Sequence, residues 1–131
     1  MIGNSLTTAF VSKALDGVWQ RQKAISSNIS NYETPGYKAR KVSFEAALQK
    51  EMQKYTSDCG FDPTQSCKEI EQMAIHTTID NSGSERADGN NVNLDAENID
   101  LAKVQIQYQY LVRSMSDTFS RLRYAITEGK R

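Results

Sequence analysis

Residue types that commonly carry out catalysis are few in this chain, and their spacing does not group them. His76 is the single histidine, and no Ser-His-Asp or Cys-His pattern can be assembled around it. The glycines stand singly, whereas a phosphate-binding loop needs them clustered. Most carboxylates fall near predicted helix starts, where they counter the helix dipole. We therefore predict that the chain is not an enzyme and binds no small-molecule substrate.

Two cysteines, Cys59 and Cys67, lie close together in a polar segment. Seven intervening residues are not a zinc-binding spacing, and one histidine cannot complete such a site. A local disulfide and a pair of free thiols both fit the sequence. The Asp88–Asp95 stretch departs from a calcium loop at Val92 and Asn93, where an oxygen ligand and a glycine are needed. No metal or other cofactor is expected.

Charge and hydropathy limit the classes of partner. The 131 residues carry 16 basic and 16 acidic side chains, so the formal net charge is zero. Proteins that bind nucleic acid or anionic membranes usually show a basic excess, which argues against both. No apolar run approaches the roughly 20 residues that span a bilayer. The first residues lack the features of a secretory signal, so we expect a cytoplasmic protein or export without a cleaved signal.

The N-terminal region, residues 1–33, is predicted to be an amphipathic helix. From about Leu6 to Tyr32 its apolar residues repeat at three- and four-residue steps, which produces a heptad stripe. A stripe of this length is not stable when exposed, so it must pack against a partner. The residues assigned to helix packing here are Val11, Leu15, Val18, Ile25 and Ile29.

The helix must stop at the stretch from Asn28 to Tyr37. Asparagine and serine side chains bond to nearby backbone and favour helix ends. Pro35 disfavours the helical conformation at the preceding residue. Pro35 and Gly36 fit the centre of a type II turn, in which the glycine adopts a positive φ. We therefore predict a turn in residues 34–37, flanked by Tyr32 and Tyr37.

The central part of the chain is predicted to be less regular. Residues 34–55 hold the turn and a short helix, with Ser43 as its N-cap. Residues 56–92 are polar and rich in turn-forming residues, which is typical of loops. Alternation of Ile75, Thr77 and Ile79 indicates one short extended or β segment in this region.

Residues 93–131 are predicted to form a second long helix, with Asn93 as its N-cap. Its apolar stripe contains Leu101, Val104, Tyr108, Leu111, Met115, Phe119 and Leu122. The fold class is therefore mainly α: one domain in which two long terminal helices pack as a coiled-coil-like pair. Two helices leave apolar surface uncovered, which indicates assembly with other molecules.

The turn stretch resembles the N-terminal motif of bacterial flagellar rod and hook proteins, Asn-Leu-Ala-Asn-x-x-Thr-Pro-Gly-Tyr. The matching positions are Asn28, Ile29, Ser30, Asn31, Thr34, Pro35, Gly36 and Tyr37. Isoleucine and serine replace the leucine and alanine of the motif. The segment from Asp88 to Asp95, with Leu101-Ala102 and Tyr108-Gln109, is similar to the C-terminal region of the proximal rod members.

This resemblance implies a structural subunit of the flagellar basal-body rod. Such a subunit leaves the cell through the flagellar type III export apparatus and polymerises through its terminal helices into a tube in the periplasm. The tube transmits torque and forms part of the export channel. The implied partners are the subunit itself, other rod proteins, the rod-adaptor protein FliE and the membrane ring. A periplasmic location also favours the Cys59–Cys67 disulfide. The alternative function is a cytoplasmic coiled-coil adaptor or export chaperone.

Overall fold

A computed structural model describes residues 5–57, 62–83 and 86–128 of the chain. The elements are, in order, α1 (Leu6–Ser30), β1 (Arg40–Ser43), α2 (Glu45–Ser57), α3 (Pro63–Gln72), β2 (His76–Ile79) and α4 (Leu94–Glu128). Helices dominate and the two longest lie at the two ends, which confirms the predicted mainly α class.

Both long helices begin where a side chain caps the first turn. The Ser5 hydroxyl accepts a hydrogen bond from the backbone N–H of Thr8 at 3.2 Å. The Asn93 Oδ1 atom accepts from the N–H groups of Asp95 and Ala96 at 3.1 and 3.2 Å. These bonds satisfy donors that the first helical turn leaves unpaired, and the second confirms the N-cap predicted at Asn93.

The central region is more regular than its sequence indicates. Ser43 does not cap α2, because it is the last residue of β1 and the helix begins two residues later at Glu45. Neither β1 nor α3 was predicted. The start of α3 has a clear physical cause, since the Asp62 Oδ1 accepts from the N–H of Thr64 at 3.0 Å and Pro63 follows the cap. Proline suits the first helical position, where its missing N–H is not needed.

Strands β1 and β2 form a two-stranded antiparallel sheet in which Arg40 pairs with Ile79 and Ser43 with His76. Strand β2 is the extended segment that the alternation of Ile75, Thr77 and Ile79 predicts. The ammonium group of Lys41, in β1, lies 2.6 Å from the Oδ2 atom of Asp80, the residue that follows β2. This hydrogen-bonded partner raises the pKa of Lys41 and lowers that of Asp80.

The chain separates into two compact units, which we describe one at a time. The helical unit contains residues 5–16, 45–74 and 109–128 among those described. Its core joins α1 to α3 through buried Ala9, Cys67 and Ile70. The Phe10 ring meets Tyr55 of α2 edge-on, with ring centroids 6.1 Å apart.

The turn unit contains residues 17–44 and 75–108, described except for residues 84 and 85. Its buried residues include Val18, Ile25, Val42, Phe44 and Val104. A Cβ atom at Gly17 would lie only 2.5 Å from the Phe44 ring. Glycine is therefore required at this point of α1, because the aromatic ring packs directly on the helix backbone.

Helices α1 and α4 pack together within each unit. In the turn unit the Arg21 Nη1 donates to Gln107 Oε1 at 3.4 Å. In the helical unit Leu15 and Met115 line one groove. None of the helices in the described ranges combines the length and the apolar composition needed to cross a membrane.

Candidate functional site: the turn after helix α1

The predicted turn is present at residues 34–37 of the turn unit. Gly36 has φ +72°, and the N–H of Tyr37 donates to the Thr34 carbonyl at 3.3 Å. This combination is the one that a type II turn requires. The tip of the turn, from Glu33 to Gly36, is exposed.

Side chains of the motif close the C-terminus of α1. The Asn31 Nδ2 donates to the Ser27 carbonyl at 2.8 Å, and the Thr34 hydroxyl donates to the Asn31 Oδ1 at 3.1 Å. The Ser30 hydroxyl donates to the Ser26 carbonyl at 2.8 Å. The Ser27 carbonyl, one of the last four of the helix, also accepts from the N–H of Asn31 at 3.1 Å. Together these bonds fix the chain where α1 ends.

Asn90 holds the turn from the other part of the unit. Its side chain is fully buried, and its Nδ2 donates to the carbonyls of Asn31, Tyr32 and Thr34 at 2.9, 3.0 and 2.9 Å. Its Oδ1 accepts from the N–H of Val92 at 2.8 Å. One amide therefore bonds to four backbone groups, and it adds to the hydrogen bonds that the carbonyls of Asn31 and Thr34 accept within the turn itself.

Arg86 and Asp88 add two further links to the same turn. The Arg86 guanidinium lies over the Tyr32 ring, 4.2 Å from its centroid, and Nη2 also donates to the Tyr32 carbonyl. The Asp88 carbonyl accepts from the N–H of Gly36 at 2.8 Å. A cation over an aromatic face is favourable. We call Arg86, Asp88, Asn90 and Asn91 the clamp.

Asn91 connects the turn to the sheet. Its N–H donates to the Tyr37 carbonyl at 3.4 Å, and its Oδ1 accepts from the N–H of Ala39 at 2.7 Å. The N–H of Asp80 donates to the Ala39 carbonyl at 2.8 Å. The clamp, the turn and both strands therefore form one hydrogen-bonded assembly.

Asn28, the first residue of the motif, also fixes backbone through its side-chain amide. Its side chain is 1% exposed. Its Nδ2 donates to the Arg40 carbonyl at 2.9 Å, while its Oδ1 accepts from the Arg40 N–H at 2.9 Å and from the Tyr37 hydroxyl at 3.1 Å. The amide thus fixes the chain that leaves the turn against the helix that enters it.

Glu97 is a buried carboxylate beside Asn28. Its burial raises the pKa of the carboxyl group, and the hydrogen bond from Asn28 opposes this rise. Asp100 raises the pKa further, and Lys41 lowers it. Desolvation disfavours the charged form because the interior solvates a carboxylate less well than water does. Asp100 and Lys41 change the pKa less than burial does, so Glu97 stays easier to protonate than an exposed glutamate.

The structure distributes the predicted helix-packing residues between inside and outside. Val18, Ile25 and Val104 are buried, whereas Tyr108 and Phe119 are exposed. The remaining residues of that set are half-buried: Val11, Leu15, Ile29, Leu101, Leu111, Met115 and Leu122. Cys67 is buried, but Cys59 lies outside the described residues, so their pairing stays a prediction.

The clamp residues were not assigned a role from the sequence. The Asp/Asn-rich composition of the Asp88–Asn93 stretch indicates a turn in that stretch. The composition does not show that this stretch contacts residues more than fifty positions earlier in the chain. Within the described ranges no group of three or more potential metal ligands lies together. The hydrogen bonds described above fix the backbone of the turn.

Comparison with known proteins agrees with this reading. The family described as "Flagella basal body rod protein" matches residues 18–38, which cover the second half of α1 and the turn. The flagellar basal body rod protein FlgB of Bacillus subtilis is 37% identical over 116 residues, 84% of each chain. FlgB of Escherichia coli is 31% identical over 130 residues, 92% of each chain. FlgB of Borreliella burgdorferi is 29% identical over 119 residues, 84% of this chain and 87% of its own.

These similarities extend over most of the chain, well beyond the turn. The chain belongs to the flagellar basal-body rod proteins, and within them to the FlgB family. It is therefore a structural protein of the flagellar basal body.

Proposed function

We propose that the chain polymerises through its terminal helices into the proximal part of the rod. The observation that carries this proposal is the exposure of α4. In this 35-residue helix only Glu97 and Val104 are buried, although apolar residues recur along its length. A helix with so much uncovered apolar surface is stable in solution only when other molecules cover that surface.

The uncovered surface is best defined in the helical unit. Leu15 of α1 and Val112, Met115 and Phe119 of α4 line an open groove of about 480 Å³. Val112 is 42% exposed and Phe119 is 48% exposed. Each subunit offers this groove in the same orientation, so a heterologous contact repeated from subunit to subunit generates a helical tube.

The remaining parts of the proposal follow from the family. The tube transmits torque from the motor and leaves a channel for later export. The subunit reaches the periplasm through the flagellar type III apparatus without a cleaved signal. Its neighbours are other copies, other rod proteins, the adaptor FliE and the membrane ring. No nucleic acid or small-molecule substrate takes part.

Deletion of the gene in its flagellated host tests the proposal. We expect basal bodies with a membrane ring and no rod in electron micrographs, and loss of swimming. Complementation with Val112→Asp and Phe119→Asp should not restore rods, because two apolar contact residues become charged. Gln105→Asp with Gln109→Asp, at exposed polar positions of α4 that do not line the groove, is the matched control and should restore them. Rods in the deletion strain would contradict the proposal and favour an adaptor or chaperone.

A further inference from the structure

Strand β2 pairs with β1 along one edge and has a second, outer edge. The register places Arg40 opposite Ile79. The N–H and C=O groups of Arg40 bond to the Asn28 side chain of α1, so they point away from β2. Opposite residues of an antiparallel pair either both point toward the partner strand or both point away from it. The N–H and C=O groups of Ile79, and those of Thr77 two residues earlier, therefore lie along the outer edge of β2.

The outer edge of β2 is unpaired in the described part of the chain. The N–H and C=O groups of Thr77 and Ile79 make no hydrogen bond with any described residue. All four residues of β2 are exposed, and the Ile79 side chain is 59% exposed. A row of unpaired N–H and C=O groups is a template on which an extended chain can add a further strand.

A basic cleft of about 440 Å³ lies beside this edge. Its lining includes Trp19 and Lys23 of α1, Arg40 of β1 and Thr77 of β2, and it contains no acidic side chain. Lys23 and Arg40 are exposed and form no ion pair with the described residues. The Lys23 ammonium lies 4.9 Å from the centroid of the Trp19 ring, which is 57% exposed. A carboxylate that enters the cleft would therefore meet two cations.

We propose that the outer edge of β2 binds an extended segment of another protein, which adds antiparallel as a third strand of the sheet. Main-chain hydrogen bonds to Thr77 and Ile79 hold this segment. The side chain opposite Thr77 lies on the same face of the sheet as Thr77 itself, and so it lies at the cleft. Lys23 and Arg40 favour an acidic residue at that position. The partner is thus a strand-forming segment that carries a carboxylate.

A second copy of this chain is a poorer occupant of the edge. Its own β2 has the sequence His-Thr-Thr-Ile, which offers no acidic side chain to the cleft. The binding edge also goes beyond the proposed function. The groove proposed for polymerisation belongs to the helical unit, whereas β2 and the cleft belong to the turn unit.

A peptide titration of the full chain tests the binding edge. The probe is the peptide Thr-Val-Thr-Glu-Thr-Val-Thr with blocked ends, and Trp19, the single tryptophan, reports binding by its fluorescence. We expect a saturable change with a Kd of about 1 mM or below. Lysine in place of the glutamate should weaken binding about tenfold or more, because the cleft is basic.

Two methylated peptides test the strand pairing on the unaltered protein. N-methyl groups on the glutamate and both valines block the edge of the peptide that faces β2 and should abolish binding. N-methyl groups on the two inner threonines modify the opposite edge of the peptide, so this control peptide should bind as the unmodified one does. Equal affinity of the two methylated peptides would overturn the proposal.

Variants of the chain test the same contacts. Thr77→Pro removes an N–H of the outer edge, where proline is tolerated, and should weaken binding about tenfold or more. Thr77→Val keeps the N–H and should bind like the wild type. Lys23→Glu should weaken binding of the glutamate peptide and strengthen binding of the lysine peptide. Lys50→Glu, an equal change of charge at an exposed position of α2, should change neither.

Three results would each overturn the proposal: no saturable change of fluorescence, equal affinity for the glutamate and lysine peptides, and a dimer in sedimentation velocity that Thr77→Pro abolishes. The dimer would mean that a second copy occupies the edge. If Thr77→Pro loses helix content in circular dichroism, the methylated peptides decide, because they leave the protein unchanged. None of these results affects the proposed function, which is tested by the rods of the deletion strain.

Discussion

Asn90 shows how much of the turn depends on a single side chain. Its amide nitrogen serves three carbonyls and its oxygen serves one N–H, all within the turn unit. An asparagine can donate two hydrogens and accept at one oxygen, so the three Nδ2 contacts share two hydrogens. No other side chain of similar size offers a donor and an acceptor in this arrangement. The residue is thus specified by the backbone around it.

Replacement of Asn90 by alanine should lower the free energy of unfolding by about 1–3 kcal/mol, because it removes the hydrogen bonds of a buried amide and takes the acceptor from the buried Val92 N–H. Asn90→Asp keeps the size but turns the donor into an acceptor that faces carbonyls, so it should be at least as damaging. Urea denaturation followed by circular dichroism measures both changes. Asn98→Ala, at an exposed position of α4, is the control. Equal stability of Asn90→Ala and the control would show that the clamp is not needed.

Glu97 should make the stability of the turn unit depend on pH. Burial raises its folded-state pKa above the ordinary value of 4.5. The native state therefore binds more protons than the unfolded state between these two values, and stability falls as the pH rises through this window. The loss is complete above the folded pKa. Glu97→Gln removes the charge and keeps an acceptor for Asn28.

We therefore expect Glu97→Gln to be more stable than the wild type at pH 7 and equal to it below pH 4.5. Thermal unfolding at a series of pH values measures the difference. Glu71→Gln, on an exposed part of α3, should follow the wild-type profile. A wild type that is more stable than Glu97→Gln at pH 7 would mean that the ionised carboxylate is favoured in the folded chain.

At the scale of elements, the long helices follow from the sequence and the short elements do not. The boundaries of α1 and α4 are set by local signals, namely an apolar period and capping side chains such as Asn93. Strand β1 has four residues and one buried side chain, Val42, so its formation depends on pairing with β2 far along the chain. The buried face of α3 is Ser66, Cys67 and Ile70, in which a single residue is strongly apolar.

The candidate site likewise has one part that the sequence predicts and one part that it does not. The turn could be predicted because Pro35 and Gly36 restrict their own backbone. The clamp could not be predicted, because Asn90 is specified by three carbonyls from a distant segment. The Asp62-Pro63 pair was a usable signal for the start of α3, since an N-cap aspartate followed by proline is a common helix opening.

The substitution Gly17→Ala tests how closely the Phe44 ring packs on the backbone of α1. Alanine has the higher helix propensity, by about 1 kcal/mol, and in an isolated helix Gly17→Ala would be stabilising. Here the added methyl group overlaps the ring, and overpacking of this kind costs about 1–3 kcal/mol. We expect a net loss of stability in urea denaturation. Ser12→Ala, at an exposed position of α1, should be neutral or slightly stabilising, and a similar gain in Gly17→Ala would show that Phe44 moves away without cost.

At the scale of the whole molecule, the inner faces of the helices hold the subunit together, and the outer faces are the ones that we propose for assembly. Ile25 is 5% exposed and Ile29 is half-buried, so aspartate at both positions buries charge without a partner. The double variant should therefore abolish swimming and leave no rods in micrographs. Ser12→Asp with Ser26→Asp adds the same charge to exposed positions of the same helix and should retain swimming. Normal motility of the isoleucine variant would contradict the assignment of these residues to the interior.

The position of the clamp along the chain has a consequence for folding order. The turn that ends α1 is complete by residue 37, but the side chain that fixes it is at residue 90 and contacts Asn31, 59 positions earlier. Contacts of such long sequence separation form late, because a large loop must close first. A chain that is synthesised from its N-terminus therefore contains the residues of α1 long before Asn90 is available to fix the turn. During that interval the end of α1 lacks the three hydrogen bonds that the Asn90 amide donates in the folded subunit.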